Sequence, residues 1–369
     1  MTGVSIAGVG VAEPAEDERP SHAELLYRAT RAALDDAGIE REAITTAVTS
    51  SYDYVEGRPL SNQFTLDSIG GVMKPCDLRL GDDGLHALAA GVSAALAEPG
   101  AVVVVASVQL RRSEHSEEAR RVVQEISYEP VWLRPVIAGA RNPEALSFGL
   151  RAQRYMAEHG VSEDDLASLV SRRSGLGSSA ARSAEQILDS AVVAGPLREL
   201  HVAPPTDVAA ALIVSSDPPS GKARGAIRGI GWSAVEGMLG LRDLGEDEAT
   251  AAAARRAYEQ AGIADPADQV DRVEAYNVYG IDELQAVEAL GIASAGGAVD
   301  AVRGKGSPVV NPTGAQQSAG WARGPASLAS TARALGEMAD GNGGGTLVSQ
   351  GWTGCGGCSS AVAVIEVAA

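Results

Sequence analysis

"SPVVNPTGAQQSAGWARGPASLASTARALGEM" (residues 307–338) and "GNGGGTLVSQGWTGCGGCSSAVAVIEVAA" (residues 341–369) close the chain. Two glycine-dense loops, Asn311–Gly324 and Gly341–Gly357, bracket a helix and a hydrophobic strand. Glycine tolerates positive φ and close backbone approach at no steric cost. Loops of this composition therefore predict one wall of a binding site. Two of the three cysteines lie in the second loop, as Cys355-Gly356-Gly357-Cys358.

Working outward, the 369 residues are too many for one small core and predict two subdomains or one large α/β unit. Aromatic residues are only 4% of the chain while Ala and Gly abound, which predicts close helix–strand contacts between small side chains. The net charge of −18 argues against nucleic acid and anionic membranes as partners, because phosphate binding needs a basic footprint. No apolar run reaches the 18 or so residues that span a bilayer, and an odd cysteine count makes no disulfide framework. A cytoplasmic location is expected.

The chain opens with an apolar strand, Val4–Pro14, whose Gly8-Val9-Gly10 echoes a nucleotide-binding fingerprint only in part, since the third glycine is missing. Ser21 and Glu24 form a capping box for a helix ending at Gly38. A strand over 43–54, a helix after Gly81 and a strand over 101–110 follow, predicting an α/β layered fold with a largely parallel core. From about 111 to 198 the chain is arginine-rich and helical, an insertion expected to lie over the sheet. Strand 208–217 ends the first half (1–217). After the linker 218–222 the same order of elements recurs over 222–369, which a duplicated α/β/α unit explains.

Four blocks in this order resemble the thiolase superfamily: "LRLGDDGLHALAAG" (78–91), "VEAYNVYGIDELQAVEALG" (273–291), "NPTGAQQSAGWARGPAS" (311–327) and "GWTGCGGCSSAVAVIE" (351–366). The chain is most similar in kind to the atypical lipid-transfer or sterol-carrier-type thiolases. The resemblance implies a five-layered α/β/α/β/α fold of two similar halves. It implies a CoA thioester as ligand or substrate, with no cofactor and no metal. It also implies a homodimer, a heteromer with another thiolase-fold chain, or a small zinc-ribbon/OB-fold partner.

Laid on the family, the nucleophilic cysteine falls at Gly81, the Asn or His of the second block at Tyr276, and the histidine of the third at Trp321. The last acid/base cysteine falls at Gly354, or at Cys355 if the loop shifts by one. Thiolysis needs a thiolate of lowered pKa, and glycine supplies none. Ordinary thiolase chemistry is thus not expected.

The residues taken singly leave alternatives open. Asp82 and Asp83 start a helix, where carboxylates act as caps; Asp83 is also a candidate base and Asp82 a pocket group. Tyr276 is a candidate acid/base phenol or a core residue, with Tyr279 expected on the opposite face of one strand. Trp321 either fills the old pocket or forms an apolar platform beside Gln316, an amide available for polar contacts. Cys355 is a candidate acid/base thiol or a small packed residue, flanked by Gly354 and Gly356 as lining. Cys76 is expected in a buried strand. Arginines 111, 112, 120, 121, 172 and 173 are candidates for phosphate contacts or ordinary surface charges. Two functions are compatible with this pattern. One is a thiolase-fold subunit that binds an acyl-CoA within a complex but does no thiolase chemistry. The other is an acyltransferase or retro-aldol lyase with a changed site.

Overall fold

Small residues set how the layers meet. In the computed structural model, the first strand, β1 (Val4–Ala12), and the helix that follows it, α1 (His22–Ala37), touch at Gly8 and Gly10. A Cβ at either glycine would collide with the backbone carbonyl of Ala33 or Ala29. The Gly8-Val9-Gly10 run is therefore a helix-packing device, lying against the carbonyls of Ala29 and Ala33 within α1. The structure describes residues 3–52, 65–111, 143–177, 181–218, 220–221, 223–304, 308–341 and 344–368.

The strands that follow are β2 (Thr46–Ser50), β3 (Cys76–Leu80), β4 (Val102–Gln109), the small hairpin β5 (Val192–Ala194) and β6 (Leu197–Arg198), and β7 (Val208–Ser215). The second half supplies β8 (Gly225–Ala234), β9 (Arg272–Glu274), β10 (Val309–Val310), β11 (Gly345–Thr353) and β12 (Ser359–Val367). The sheet order is β10-β9-β11-β12-β8-β1-β7-β4-β2-β3. Counted within each half, both sets run third, second, fourth, fifth, first, and they join at their first strands by antiparallel pairing of Ile6 with Gly225 and Val4 with Ile227.

The expectation of a largely parallel core is corrected: β2 and β9 pair in parallel with both neighbours, whereas β1, β4, β8, β11 and β12 make antiparallel ladders with β7 or with each other. The loop from Gly354 to Cys358 is too short for a crossover, so β12 must return antiparallel beside β11. Cys76 opens β3, at the sheet edge, and is half-buried rather than buried.

Five layers result. The outer α1 covers one face of the first half. Between the halves lie α2 (Gly84–Ala97) and a helix at Pro325–Asp340, sharing one core through Leu85, Leu88, Val92, Leu328, Ala332 and Leu335. The sequence of α2 is apolar nearly all round, as a helix enclosed on every side must be. The opposite outer layer holds helices Glu248–Ala261 and Ile281–Ala289. In that layer Gly229 and Gly231 meet the carbonyls of Ala257 and Ala253, repeating the contact of the first half. Gly229→Ala is expected to destabilise the protein by about 2 kcal/mol or more, because a backbone must move to admit one methyl. Urea denaturation of the variant measures this, and an unchanged midpoint would refute the packing argument.

The segment between β4 and β7 contains helices Pro143–His159, Glu163–Ser174 and Ala184–Asp189. The second of these helices is capped by Ser162 in a capping box: Asp165 N–H donates to Ser162 Oγ (3.1 Å) while Ser162 N–H donates back to the Asp165 carboxylate (3.0 Å). Arg173 inside this segment is buried and paired with Glu283, and Arg111 reaches Asp207 at 3.3 Å. Arg112, Arg120 and Arg121 lie outside the described residues. Among the described residues no helix is long and apolar enough to cross a membrane.

Candidate active site

The two central helices converge at their N-termini, where Gly84 N–H donates to Gly324 O at 2.7 Å. A Cβ on Gly84 would press on that oxygen and on Leu328, so the approach requires glycine. Two helix starts at one point concentrate the positive ends of both macrodipoles. Asp83 sits there, fully buried, as the N-cap of α2. Its Oδ1 accepts from Leu85 N–H (3.0 Å) and from Ser327 Oγ (2.5 Å), and its Oδ2 accepts from the Tyr276 hydroxyl (3.0 Å). Burial pushes the Asp83 carboxyl up to about 6, against the hydrogen bonds and the nearby His86 that favour its charged form. The carboxylate is thus both held and poised to accept a proton near neutral pH.

Tyr276 is pinned from both ends. Its backbone N–H donates to Gln350 Oε1 (3.0 Å), and its ring packs on Trp352 with centroids 5.3 Å apart. Burial first, then the charge of Asp83, raises its phenol well above the ordinary range, so it stays protonated and donates to Asp83. The Trp321 indole N–H faces the same phenol without completing a hydrogen bond of good geometry. Tyr52 Oη and Thr353 Oγ1 are hydrogen-bonded beside this group.

The expectation that Tyr276 and Tyr279 point to opposite faces is corrected. β9 ends at Glu274, and both rings then gather on Trp352, with Phe148 stacked on Tyr279 at 4.5 Å. Side chains capture the backbone N–H groups here: Asn311 takes that of Ala275, Gln350 that of Tyr276 and Gln316 that of Asn277. Once the ladder stops, the two-residue alternation of a strand stops with it.

The glycine loop after β11 is clamped on its carbonyl side. Arg242 Nη2 donates to Cys355 O (2.8 Å) and Gly356 O (2.9 Å), and the buried Arg151 Nη1 donates to Gly356 O (2.8 Å). Gly354, Gly356 and Gly357 all have positive φ, and a Cβ at Gly357 would lie 2.8 Å from Arg151 Nη1.

No family model matches the chain, and no curated protein matches it in sequence. Solved structures do. A structure named Ltp2–ChsH2(DUF35) aldolase superposes with a TM-score of 0.77 at 19% identity, covering 99% of this chain and 98% of that one. A monomeric SCP2-thiolase-like protein type 1 from Mycobacterium smegmatis gives 0.74 at 20% identity, covering 100% and 78%. The fold is thiolase-like.

Within this thiolase-like fold, Asp83 and Tyr276, 193 residues apart, meet directly. Gly81 is exposed, and among the described residues the nearest atom to a Cβ built on it is Ser51 O at 4.0 Å. Asp82 is partly exposed and accepts from Asp83 N–H (2.9 Å). Trp321 is buried with its ring 6.2 Å from those of Tyr279 and Trp352, and Arg323 lies over its face at 4.4 Å. Gln316 is buried, with its oxygen on Asn277 N–H (2.9 Å) and its nitrogen on Ser330 Oγ (3.1 Å). Gly354 is exposed, Gly356 is buried, and Cys355 is half-buried with its carbonyl on Arg242. Sequence reasoning missed Ser327, Gln350, Trp352 and Tyr52. All four act through contacts between distant segments, and no local pattern marks them.

Asp282 and Glu274 are also fully enclosed. Burial pushes Asp282 up to about 7 although Tyr279 and Val278 N–H groups and Arg151 favour its charge, and it pushes Glu274 up to about 6 against Arg272. A carboxyl whose folded pKa lies above its unfolded value binds more protons when folded, so stability falls as pH rises between the two values. Buried His201, pushed down to about 4, works in the opposite sense below pH 6.5. Three carboxyls outweigh one imidazole. The urea midpoint is therefore expected to decrease from pH 5 to pH 7.5, and a midpoint that rises over this interval contradicts the assignment.

Proposed function

We propose that the protein cleaves a carbon–carbon bond of a CoA thioester by retro-aldol chemistry, without thiolysis. The observation that carries this reading is the Tyr276 hydroxyl hydrogen-bonded to buried Asp83 at the meeting point of two helix N-termini. In a 3-hydroxyacyl thioester, the 3-hydroxyl gives its proton through Tyr276 to Asp83. The C2–C3 bond breaks, the carbonyl product departs, and the electron pair passes to C2 and the thioester oxygen as an enolate. Asp83 is neutral at that moment, so it does not repel the enolate. The helix N-termini stabilise the developing charge. The proton then returns to C2, leaving the shortened acyl-CoA. Cys355 stands outside this proton path, and Cys355→Ser is expected to retain activity within about threefold.

The test is incubation of the purified protein with a panel of 3-hydroxyacyl-CoA thioesters, with mass-spectrometric detection of the shortened acyl-CoA and the released carbonyl compound. Cleavage of at least one member is expected. Tight binding of the panel with no cleavage would overturn the reading.

A second reading is a subunit that binds the acyl-CoA while a partner, such as a catalytic thiolase or a zinc-ribbon/OB-fold protein, does the chemistry. It is favoured by the near-complete burial of both Tyr276 and Asp83. The paired name of the aldolase neighbour also suggests assembly. Mass measurement of the assembly from the native host tests it: turnover by the lone chain or its homodimer removes it.

A further inference from the structure

A separate group of side chains lies on the other side of the α2 N-terminus. Asp82 immediately precedes the N-cap Asp83, and His86 lies in the first turn of α2, so both stand at the start of this helix. The Asp82 carboxylate is steadied by the N–H of Asp83, donated to its Oδ1 at 2.9 Å. The same Oδ1 lies 3.5 Å from His86 Nδ1, an atom with no hydrogen-bond partner among the described residues. At the opposite edge of the imidazole, Nε2 lies 3.0 Å from the hydroxyl of Ser359, the first residue of β12. His86 is 7% exposed, whereas Ser359 is half-buried and Asp82 is 30% exposed. Among the described residues only Ser51 O comes within 4.0 Å of a Cβ built on Gly81, immediately before Asp82 in the chain.

We propose that Ser359, His86 and Asp82 form a nucleophilic acyl-transfer centre that accepts acyl groups from thioesters or activated esters, distinct from the Asp83–Tyr276 pair. The roles follow from the partners. In the tautomer protonated on Nδ1, the imidazole presents the lone pair of Nε2 to the serine hydroxyl 3.0 Å away, while the Asp82 carboxylate lies within 3.5 Å of Nδ1, the order of nucleophile, base and orienter that acyl transfer uses. The looser 3.5 Å leg is of the kind that tightens when substrate binds.

The bonds balance as follows. Ser359 Oγ bonds to the acyl carbonyl carbon while its proton passes to His86 Nε2. The C–S or C–O bond to the leaving group breaks, and the thiol or alcohol departs with the proton from His86. Water then attacks the acyl-serine ester, His86 takes a proton from it and returns one to Ser359, and a carboxylic acid is released. No oxidant or reductant is needed. Nearby Cys358 does not compete: burial raises its thiol, against the pull of Arg242, and keeps it protonated.

The experiment uses the full chain, a fluorophosphonate probe and p-nitrophenyl butyrate. Peptide mapping is expected to place the phosphonyl adduct on Ser359. Ser359→Ala is expected to abolish the adduct, and His86→Gln to slow both labelling and ester turnover by about 10²-fold. Asp82→Asn, at a partly exposed position, is expected to slow labelling while the thermal unfolding midpoint stays near that of the parent, which separates chemistry from folding. Absence of an adduct on Ser359, or labelling at the parental rate in folded His86→Gln and Asp82→Asn, overturns the proposal.

Discussion

Tyr276→Phe is expected to lower the proposed carbon–carbon cleavage by about 10²-fold or more, because it removes the hydroxyl through which the substrate proton would reach Asp83. The ring and its contact with Trp352 remain, so the cost in stability is expected to be only about 1 kcal/mol, the worth of one hydrogen bond. Asp83→Asn is expected to be equally inactive while it keeps a cap oxygen for Leu85 N–H. The pH profile separates the two roles. In the proposed reaction Asp83 must be ionised to act as a base, so kcat/KM of the parent is expected to rise with pH through about 6. In Asp83→Asn the residual rate loses that limb. A Tyr276→Phe enzyme of parental rate, or an unchanged acid limb in Asp83→Asn, would contradict the assignment.

Glu283→Ala is expected to destabilise the protein by about 3–5 kcal/mol, because it leaves a buried guanidinium without its counter-charge. Arg173 Nε donates to Glu283 Oε1 at 3.0 Å, and the side chains are 6% and 0% exposed. Asn277 Nδ2 also donates to Glu283 Oε2 (3.1 Å) and Arg173 Nη1 to Asn311 O (3.1 Å). The pair therefore ties the helix Glu163–Ser174 to the loop that carries Tyr276 and to the loop at Asn311. The double variant Arg173→Met, Glu283→Leu is expected to recover much of the loss, since it removes both charges together. Chemical denaturation of the single and double variants measures both. A double variant no better than the sum of the singles would show that the charges are not coupled.

Some of this molecule is readable residue by residue. Ser21 caps α1 by accepting from Glu24 N–H at 3.1 Å, and Ser162 forms its reciprocal box, as their spacing predicts. The mostly apolar "AVVVVASVQL" contains β4, buried along its whole length. The glycine blocks predict a site near the loops before Pro325 and after Thr353, and glycine at position 81 offers no nucleophilic thiol there. Each of these rests on interactions within a few residues, or on the chemistry a single side chain lacks.

The rest depends on distant segments brought together. Gly8-Val9-Gly10 looks like a phosphate loop until α1 is seen lying on it, because a missing Cβ serves either purpose and only the neighbour decides. Tyr276 and Tyr279 alternate on paper, yet converge once side-chain amides replace the ladder that alternation requires. Asp83 is by sequence a helix cap. Its burial and its contacts with Tyr276 and Ser327 make it a titratable group near 6. Sequence by itself determined the local elements, their repeated order and that position 81 is a glycine and not a cysteine. Tertiary structure alone decided which polar groups share a dry space, because desolvation and long-range hydrogen bonds have no counterpart in a local pattern.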